Sequence, residues 1–387
     1  MKIRSQRIEG FVQSDIRAMT HACNAVGGVN LGQGICDIPA PDIVKQAALE
    51  AIRGDRSIYT RYDGDDSLRQ AIARKLEHYN RVRYDAENEV VVTIGASGAL
   101  TATLHALTDP GDEIILFEPY YGYHLNTARI AGLEPRLFPL APPTFAIDLD
   151  RLEAMVTPRT RAILVNTPVN PSGKVFTRVE LEGIAAICQR HDLLCITDEI
   201  YEYIVYDGRE HLSMASLPGM RERTVTISGY SKTFSVTGWR IGYAAAPQEL
   251  ALAIGLVNDL FSICAPSPLQ RAVATAIDRL DDSYYAGMAA RYHQKRDEFC
   301  GVLQQVGLTP IVPDGAYYVL ADISRLGADN ARDAAHLLLD QSGVAGVPGT
   351  AFYTGAAGES LIRFCFAKRQ EDLDEACERL LAWGQRT

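Results

Sequence analysis

The chain is predicted to be an α/β protein, with a three-layer large domain whose mostly parallel sheet is covered by helices, and a smaller α+β domain beside it. Three observations carry this expectation. Short apolar runs rich in branched residues alternate with amphipathic helical stretches from about residue 42 to about residue 285. The runs are continuously apolar, as strands buried on both faces must be. After 285 the texture changes to a long charged helix, two strand-like runs and a closing helix.

Taken in order, Ile43, Ala47 and Ala51 repeat at four-residue spacing beside Val44, Ala48 and Ile52, which makes one apolar stripe of a first helix. A second helix follows Asp66 and Ser67. Strands are expected at 90–94, 113–117, 162–166, 193–197 and 224–228, with helices at 98–108, 121–131 and 178–191 separating most of them. Beyond 285, strand-like runs at 317–322 and 361–366 precede a helix whose buried stripe is Leu373, Ala376, Cys377, Leu380 and Leu381. A chain of 387 residues ordinarily divides into about two domains. The division expected is an amino-terminal segment, 1–45, joining the small domain, a large domain over 46–285, and a carboxyl-terminal small domain over 286–387.

Composition narrows the function. With 47% apolar and 22% charged residues the chain is of the soluble globular class. A net charge of -10 argues against nucleic acid as a partner, since such binders concentrate Lys and Arg on one face. No apolar run approaches the roughly 20 residues that span a bilayer, and residues 1–11 have no secretory core, so a cytoplasmic location without membrane contact is expected. The eight cysteines form no CxxC pair, so neither disulfides nor a metal site is expected. Cys36, in a loop beside the suspected pocket, is read as a reduced packing residue.

In an open parallel sheet the ligand lies at the carboxyl ends of the strands. Five segments follow the predicted strands there. TIGASGAL (93–100) is a glycine turn between strand and helix that can aim N–H groups at a phosphate. EPYYGY (118–123) puts aromatic rings past a strand end, for stacking or for an interface. NTPVNPSG (166–173) holds Asn170 in a proline-stiffened turn. TDEIYEY (197–203) places Asp198 at a strand tip with Tyr201 three residues on; a helical turn would put both on one face, while an N-cap role competes for the aspartate. SGYSKTFSVTGWRIGY (228–243) offers the amine of Lys232 and the guanidinium of Arg240 within nine residues.

With SKTFSVTGWRIGY, NTPVNPSG and TDEIY in this order, the chain resembles the class I/II aminotransferases, fold type I enzymes dependent on pyridoxal phosphate, from about Asn30 to the end. The resemblance implies that Lys232 holds the cofactor covalently through its ε-amino group and is the catalytic residue. It implies that Arg240, Ala96 and Ser97 hold the phosphate, with Ser231 or Ser228 supplying a hydroxyl because Gly229 stands where the family often has a serine, that Asp198 pairs with the pyridine nitrogen, and that Tyr201 and Asn170 stand near the phenolic oxygen. Tyr121 would stack on the ring, Arg363 of SLIRFCFA would bind the substrate α-carboxylate beside Gly34, and Tyr59 would reach the phosphate of the neighbouring subunit in a homodimer. Departures fall on the substrate side: YTRYDG, with Arg61 and Tyr62, replaces the family's YTPTxG, and Gly34-Ile35-Cys36-Asp37 replaces GxPDF.

The activity expected is amino-group transfer between an L-amino acid and a 2-oxo acid. Tyrosine abundance leans toward aromatic or neutral substrates, with Arg61 available to an acidic side chain. The alternative is another reaction of the same cofactor, a β- or γ-elimination, a replacement or a carbon-bond-forming step. A ligand-sensing regulator is disfavoured because fewer than 35 residues precede Gly34. An inert scaffold would not need the lysine, aspartate and two arginines in register.

Overall fold

The structure, a computed structural model, describes Ser5, Ile8, Phe11 and residues 14–386. Most of the stretch read for a secretory leader therefore lies outside the described residues. Thirteen strands follow in chain order: β1 (Val29–Asn30), β2 (Val90–Ile94), β3 (Glu113–Glu118), β4 (Glu134–Pro139), β5 (Thr160–Asn166), β6 (Leu194–Asp198), β7 (Thr224–Gly229), β8 (Ile241–Ala245), β9 (Thr309–Ile311), β10 (Tyr318–Asp322), β11 (Val344–Ala345), β12 (Val347–Pro348) and β13 (Leu361–Cys365).

Seven of them form the large sheet in the order β2-β8-β7-β6-β5-β3-β4. Strand β8 runs antiparallel to both neighbours, and the remaining pairs are parallel. Successive residues of one strand serve opposite faces, which is why these runs are apolar throughout. Ile115, Ile163, Val165 and Cys195 pack with Leu181, Ile184 and Ile187 of the helix Arg178–Arg190. Ile114, Leu116, Leu164 and Ile196 point the other way, onto Ala99, Leu100 and Leu104 of the helix Gly95–Leu107 and Ile254 of the helix Gln248–Ser262.

Several elements are absent from the sequence reading, among them β4, β8 and the helices Asp15–Ala25, Gln248–Ser262, Ser267–Arg279 and Ala331–Ser342. The β4 run, EPRLFP, is an edge strand with one buried residue, so it has no apolar signature. The IGYAA of β8 follows Arg240 directly and reads as motif more than strand. The helix Asp15–Ala25 buries only Met19 and Cys23.

The small sheet is antiparallel, β12-β13-β10-β9. The amino-terminal segment joins this part of the chain through β1, which pairs in parallel with β11 at Val29↔Val344 and Asn30↔Ala345. Just beyond, Leu31 O accepts from Cys365 N at 2.7 Å, which sets the 32–36 loop against β13. The divisions drawn at 45 and 285 fall inside the helices Asp42–Arg53 and Asp282–Gln305, which run on through them. All eight cysteines are free. Among the described residues no helix is long and apolar enough to cross a membrane.

Candidate active site

A cavity of about 670 Å³ opens where β5, β6 and β7 end and the helix Gly95–Leu107 begins. Every residue assigned to the cofactor or the substrate carboxylate lies on its wall except Tyr59, which is 76% exposed and outside it; Cys36, Arg61 and Tyr62 also lie off the wall.

One end is built for an anion. Strand β2 turns into the helix through Gly95 at φ +68°, and Ala96 and Ser97 of the first turn, where backbone N–H groups lack intrahelical partners, line the cavity. Arg240 leans across this turn: its Nη1 donates to Thr237 O at 2.9 Å and its Nη2 to Ser97 Oγ at 3.0 Å. The fit leaves no room for side chains, since a Cβ on Gly95 would stand 2.3 Å from Arg240 Nη2. Ser231 lines the same cavity, while Ser228 turns away from it and donates to Glu202 Oε1 at 2.9 Å.

The middle of the cavity holds a carboxylate and aromatic rings. Asp198 ends β6 and caps no helix; its Oδ1 accepts from Ile200 N at 3.2 Å in a local turn, and its Oδ2 lies 2.8 Å from His124 Nε2. Tyr201 reaches the same cavity from that turn, its hydroxyl 3.0 Å from Tyr318 Oη. Tyr121 stacks on Tyr123 with centroids 5.1 Å apart and meets His124 edge-on at 5.3 Å. Burial pushes the Tyr121 and Tyr201 phenols well above their ordinary range, so both stay protonated donors.

Lys232 lies over the faces of Tyr201 and Tyr317, at 5.9 and 5.5 Å from their centroids, and its Nζ donates to Gly34 O at 3.1 Å. The side chain touches the cavity and is otherwise enclosed. Burial lowers its pKa from 10.5 to about 8, so near neutral pH a fraction of this amine is unprotonated and nucleophilic.

Arg363 is 1% exposed on β13, held between the rings of Tyr318 and Phe352 at 4.4 and 4.7 Å. Its Nη1 donates to Asn170 Oδ1 at 3.0 Å and its Nη2 to Gly32 O at 2.6 Å, while its Nε has no partner. A buried guanidinium bound only by neutral acceptors has its charge uncompensated and can take a carboxylate. Gly34 has no space for a side chain, because a Cβ there would fall 2.0 Å from Tyr318 Oη.

Arg61 is removed as a substrate cation by its ion pairs to Asp63 at 2.7 Å and to Glu87. The sequence reading omits His124, Asn166 and Tyr318. Asn166 Nδ2 donates to Asp198 O and its Oδ1 accepts from Asn170 N, both at 2.9 Å, joining two of the landmark turns. It also omits the face of the helix Asp15–Ala25 that brings Ile16 and Arg17 to the cavity. For His124 the one available signal is its spacing of three from Tyr121 on a helix, which a core histidine would share.

These groups suit pyridoxal phosphate end to end: an anion cradle at a helix start, a carboxylate for a protonated ring nitrogen, flanking aromatics and a pKa-lowered amine for the aldehyde. The comparisons agree. The family model for aminotransferase class I and II matches residues 26–380. A probable N-succinyldiaminopimelate aminotransferase of Mycobacterium tuberculosis is 38% identical, covering 98% of each chain. The kynurenine–oxoglutarate transaminase 3 of Mus musculus is also 38% identical, over 98% of this chain and 90% of its own. The solved structure of an N-succinyldiaminopimelate aminotransferase from Mycobacterium tuberculosis superposes with a TM-score of 0.95 at 38% identity, covering 98% of this chain and all of that one. The chain belongs to the class I and II aminotransferases. It is an enzyme of fold type I that uses pyridoxal phosphate to move an amino group between an amino acid and a 2-oxo acid.

Proposed function

We propose that Lys232 is the catalytic group, that Arg363 holds the substrate α-carboxylate, and that the preferred amino acids carry large apolar or aromatic side chains. The observation that carries this is the convergence of Lys232, Asp198, Arg240 and Arg363 on one cavity. When bound, the cofactor supplies an electron sink for the charge left on the substrate Cα. Arg240, Ser97, Ser231 and the backbone at Ala96 hold its phosphate. Asp198 would keep the ring nitrogen protonated, Tyr121 would cover the ring, and Tyr201 with the amide of Asn170 would address the phenolic oxygen.

Arg363 then fixes the substrate by its carboxylate, which a lysine, lacking the planar fork, would do loosely. Lys232 Nζ takes the proton from Cα and returns it on the cofactor side; a base with pKa near 8 is close to the optimum for such a shuttle. Ile16, Ile35 and Tyr123 line the cavity and suit an apolar or aromatic side chain, and Arg17 lines it too.

The reading includes a homodimer in which Tyr59 serves the partner's phosphate cradle. Its support is the exposure of the large apolar side chains Ile58, Tyr59, Leu256, Leu260 and Phe261, which a partner would cover. The large unit over 46–285 and the small one formed by 1–45 with 286–387 belong to the same reading, supported by the β1–β11 pairing.

The test is a spectral screen. Yellow protein mixed with single amino acids converts to the amine form of the cofactor, without ammonia release, fastest for aromatic and large neutral side chains. Ammonia with the aldehyde form retained would mean elimination.

A further inference from the structure

Behind the site lies a buried ionic cluster that no step above uses. Along the turn after β6, Asp198 and Tyr201 face the cavity while Glu199 and Glu202, 0% and 3% exposed, face the opposite way. Glu199 Oε1 accepts from Thr197 Oγ1 and Ser213 Oγ, both at 2.9 Å, and its Oε2 from His211 Nε2 at 2.9 Å and Asn80 Nδ2 at 3.2 Å. Glu202 Oε1 pairs with Lys75 Nζ at 2.5 Å and accepts from Ser228 Oγ, and its Oε2 accepts from Asn80 Nδ2 at 2.9 Å. The Lys75 ammonium also donates to Tyr243 Oη at 3.2 Å, and Tyr79 Oη donates to Glu202 O at 2.7 Å.

Every carboxylate oxygen of the cluster is therefore engaged. The Glu199, Glu202 and His211 donor atoms lie within 4.8 Å of one another, a spacing a divalent cation could use, but the chain supplies its own cation in Lys75. Burying such charges is expensive, and well-packed apolar residues would hold a core at lower cost. Asn80 Oδ1 and His211 Nδ1 have no partner, yet all four carboxylate oxygens are bonded, and each such bond adds direction because it fixes an angle as well as a distance. Here the bonds tie the Asp198–Tyr201 turn to Ser228 of β7, four residues before Lys232, and to Tyr243 of β8, three after Arg240.

We propose that Glu199 and Glu202, clamped by Lys75, Asn80, His211 and Ser228, are positioning residues that hold the Asp198–Tyr201 turn in register with the segment carrying Lys232. The inference rests on the assignment of Asp198 and Tyr201 to the cofactor. It extends the site from the cavity to Lys75 on the helix Asp66–Lys75, whose sequence carries no catalytic signal.

The test compares parent, Glu199→Gln and Ser228→Ala proteins. Glu199→Gln keeps the shape and removes the charge, and Ser228→Ala removes only the hydroxyl between the two segments. Three quantities are measured on each: thermal midpoint of the apoprotein, dissociation constant for pyridoxal phosphate on reconstitution, and the visible circular-dichroism band per bound cofactor. The expected result is affinity weakened about tenfold, the scale of one charged hydrogen bond, with an altered band at temperatures where both apoproteins are folded. An unaltered band, with or without loss of affinity or thermal stability, overturns the proposal, since the cofactor would then sit as in the parent. If Glu199→Gln does not fold, Ser228→Ala decides alone. An Asp198→Asn control with parental affinity and band would refute the site reading itself, and the positioning role with it.

Discussion

His124 Nε2 donates to Asp198 Oδ2 across 2.8 Å, joining the helix Gly122–Ala131 to the tip of β6. A carboxylate can only accept, so the imidazole presents an N–H to it and fixes the plane of the carboxylate proposed to pair with the cofactor nitrogen. Replacing His124 with Phe keeps the packing against Tyr121 and removes this donor. The expected loss is about 1.5–3 kcal/mol of positioning, or roughly 10- to 100-fold in kcat/KM, with cofactor still bound. Asp198→Asn costs more, because the protonated ring nitrogen then loses its counter-charge. Steady-state kinetics beside the visible spectrum of each variant decide the order.

Two glycines of the same motif are expected to behave in opposite ways. A Cβ on Gly242 would sit 2.4 Å from Gly95 C and 2.5 Å from Ala96 N, both backbone atoms that cannot turn aside. Gly242→Ala therefore pushes β8 away from the anion-binding turn, costing about 1–3 kcal/mol and weakening cofactor binding. A Cβ on Gly238 would meet nothing within 4 Å, so Gly238→Ala is expected within about 0.5 kcal/mol of the parent. Thermal melts of both apoproteins and their cofactor titrations check the contrast.

The contrast also shows what the sequence discloses. Strands β2, β3, β5, β6 and β7 are legible because burial on both faces writes them as unbroken apolar runs. Strand β4 is illegible because an edge strand with Pro135 and Pro139 has one buried residue to declare. Lys232, Asp198 and Asn170 are legible because each stands just past a strand, where side chains and ligands meet. His124 is not, since its meaning comes from a partner 74 residues away. Glu199 and Glu202 read as ordinary charges of a motif, and only the turn's alternation sends them to the buried side.

The helix Arg178–Arg190 offers a control remote from the chemistry. Thr177 and Glu180 form a capping box: Thr177 Oγ1 accepts from Glu180 N at 3.3 Å and Glu180 Oε2 from Thr177 N at 2.8 Å. Thr177→Ala orphans one backbone donor, the Glu180 N–H, and is expected to lower stability by about 1 kcal/mol. Kinetic constants should not move, since the helix packs on the sheet face carrying Ile115 and Ile163 and lines no part of the cavity.

Lys232 makes the apoprotein's stability depend on pH in a direction that can be worked out. Burial holds its pKa at about 8 against 10.5 in the open chain. Between these values the unfolded state binds more protons than the folded one, so stability rises with pH across that window. Below about pH 8 both states carry the charge and the burial penalty is present in full; above 10.5 neither does. The penalty is on the order of 3 kcal/mol, an upper figure because cavity water softens it. Lys232→Met apoprotein lacks the charge at every pH. It is therefore expected to melt above the parent at pH 7, with the gap narrowing from pH 8 and closing near 10.5. Melting curves of both apoproteins from pH 7 to 10.5 measure this, and a gap that stays constant would mean the amine is not held in a low-dielectric site.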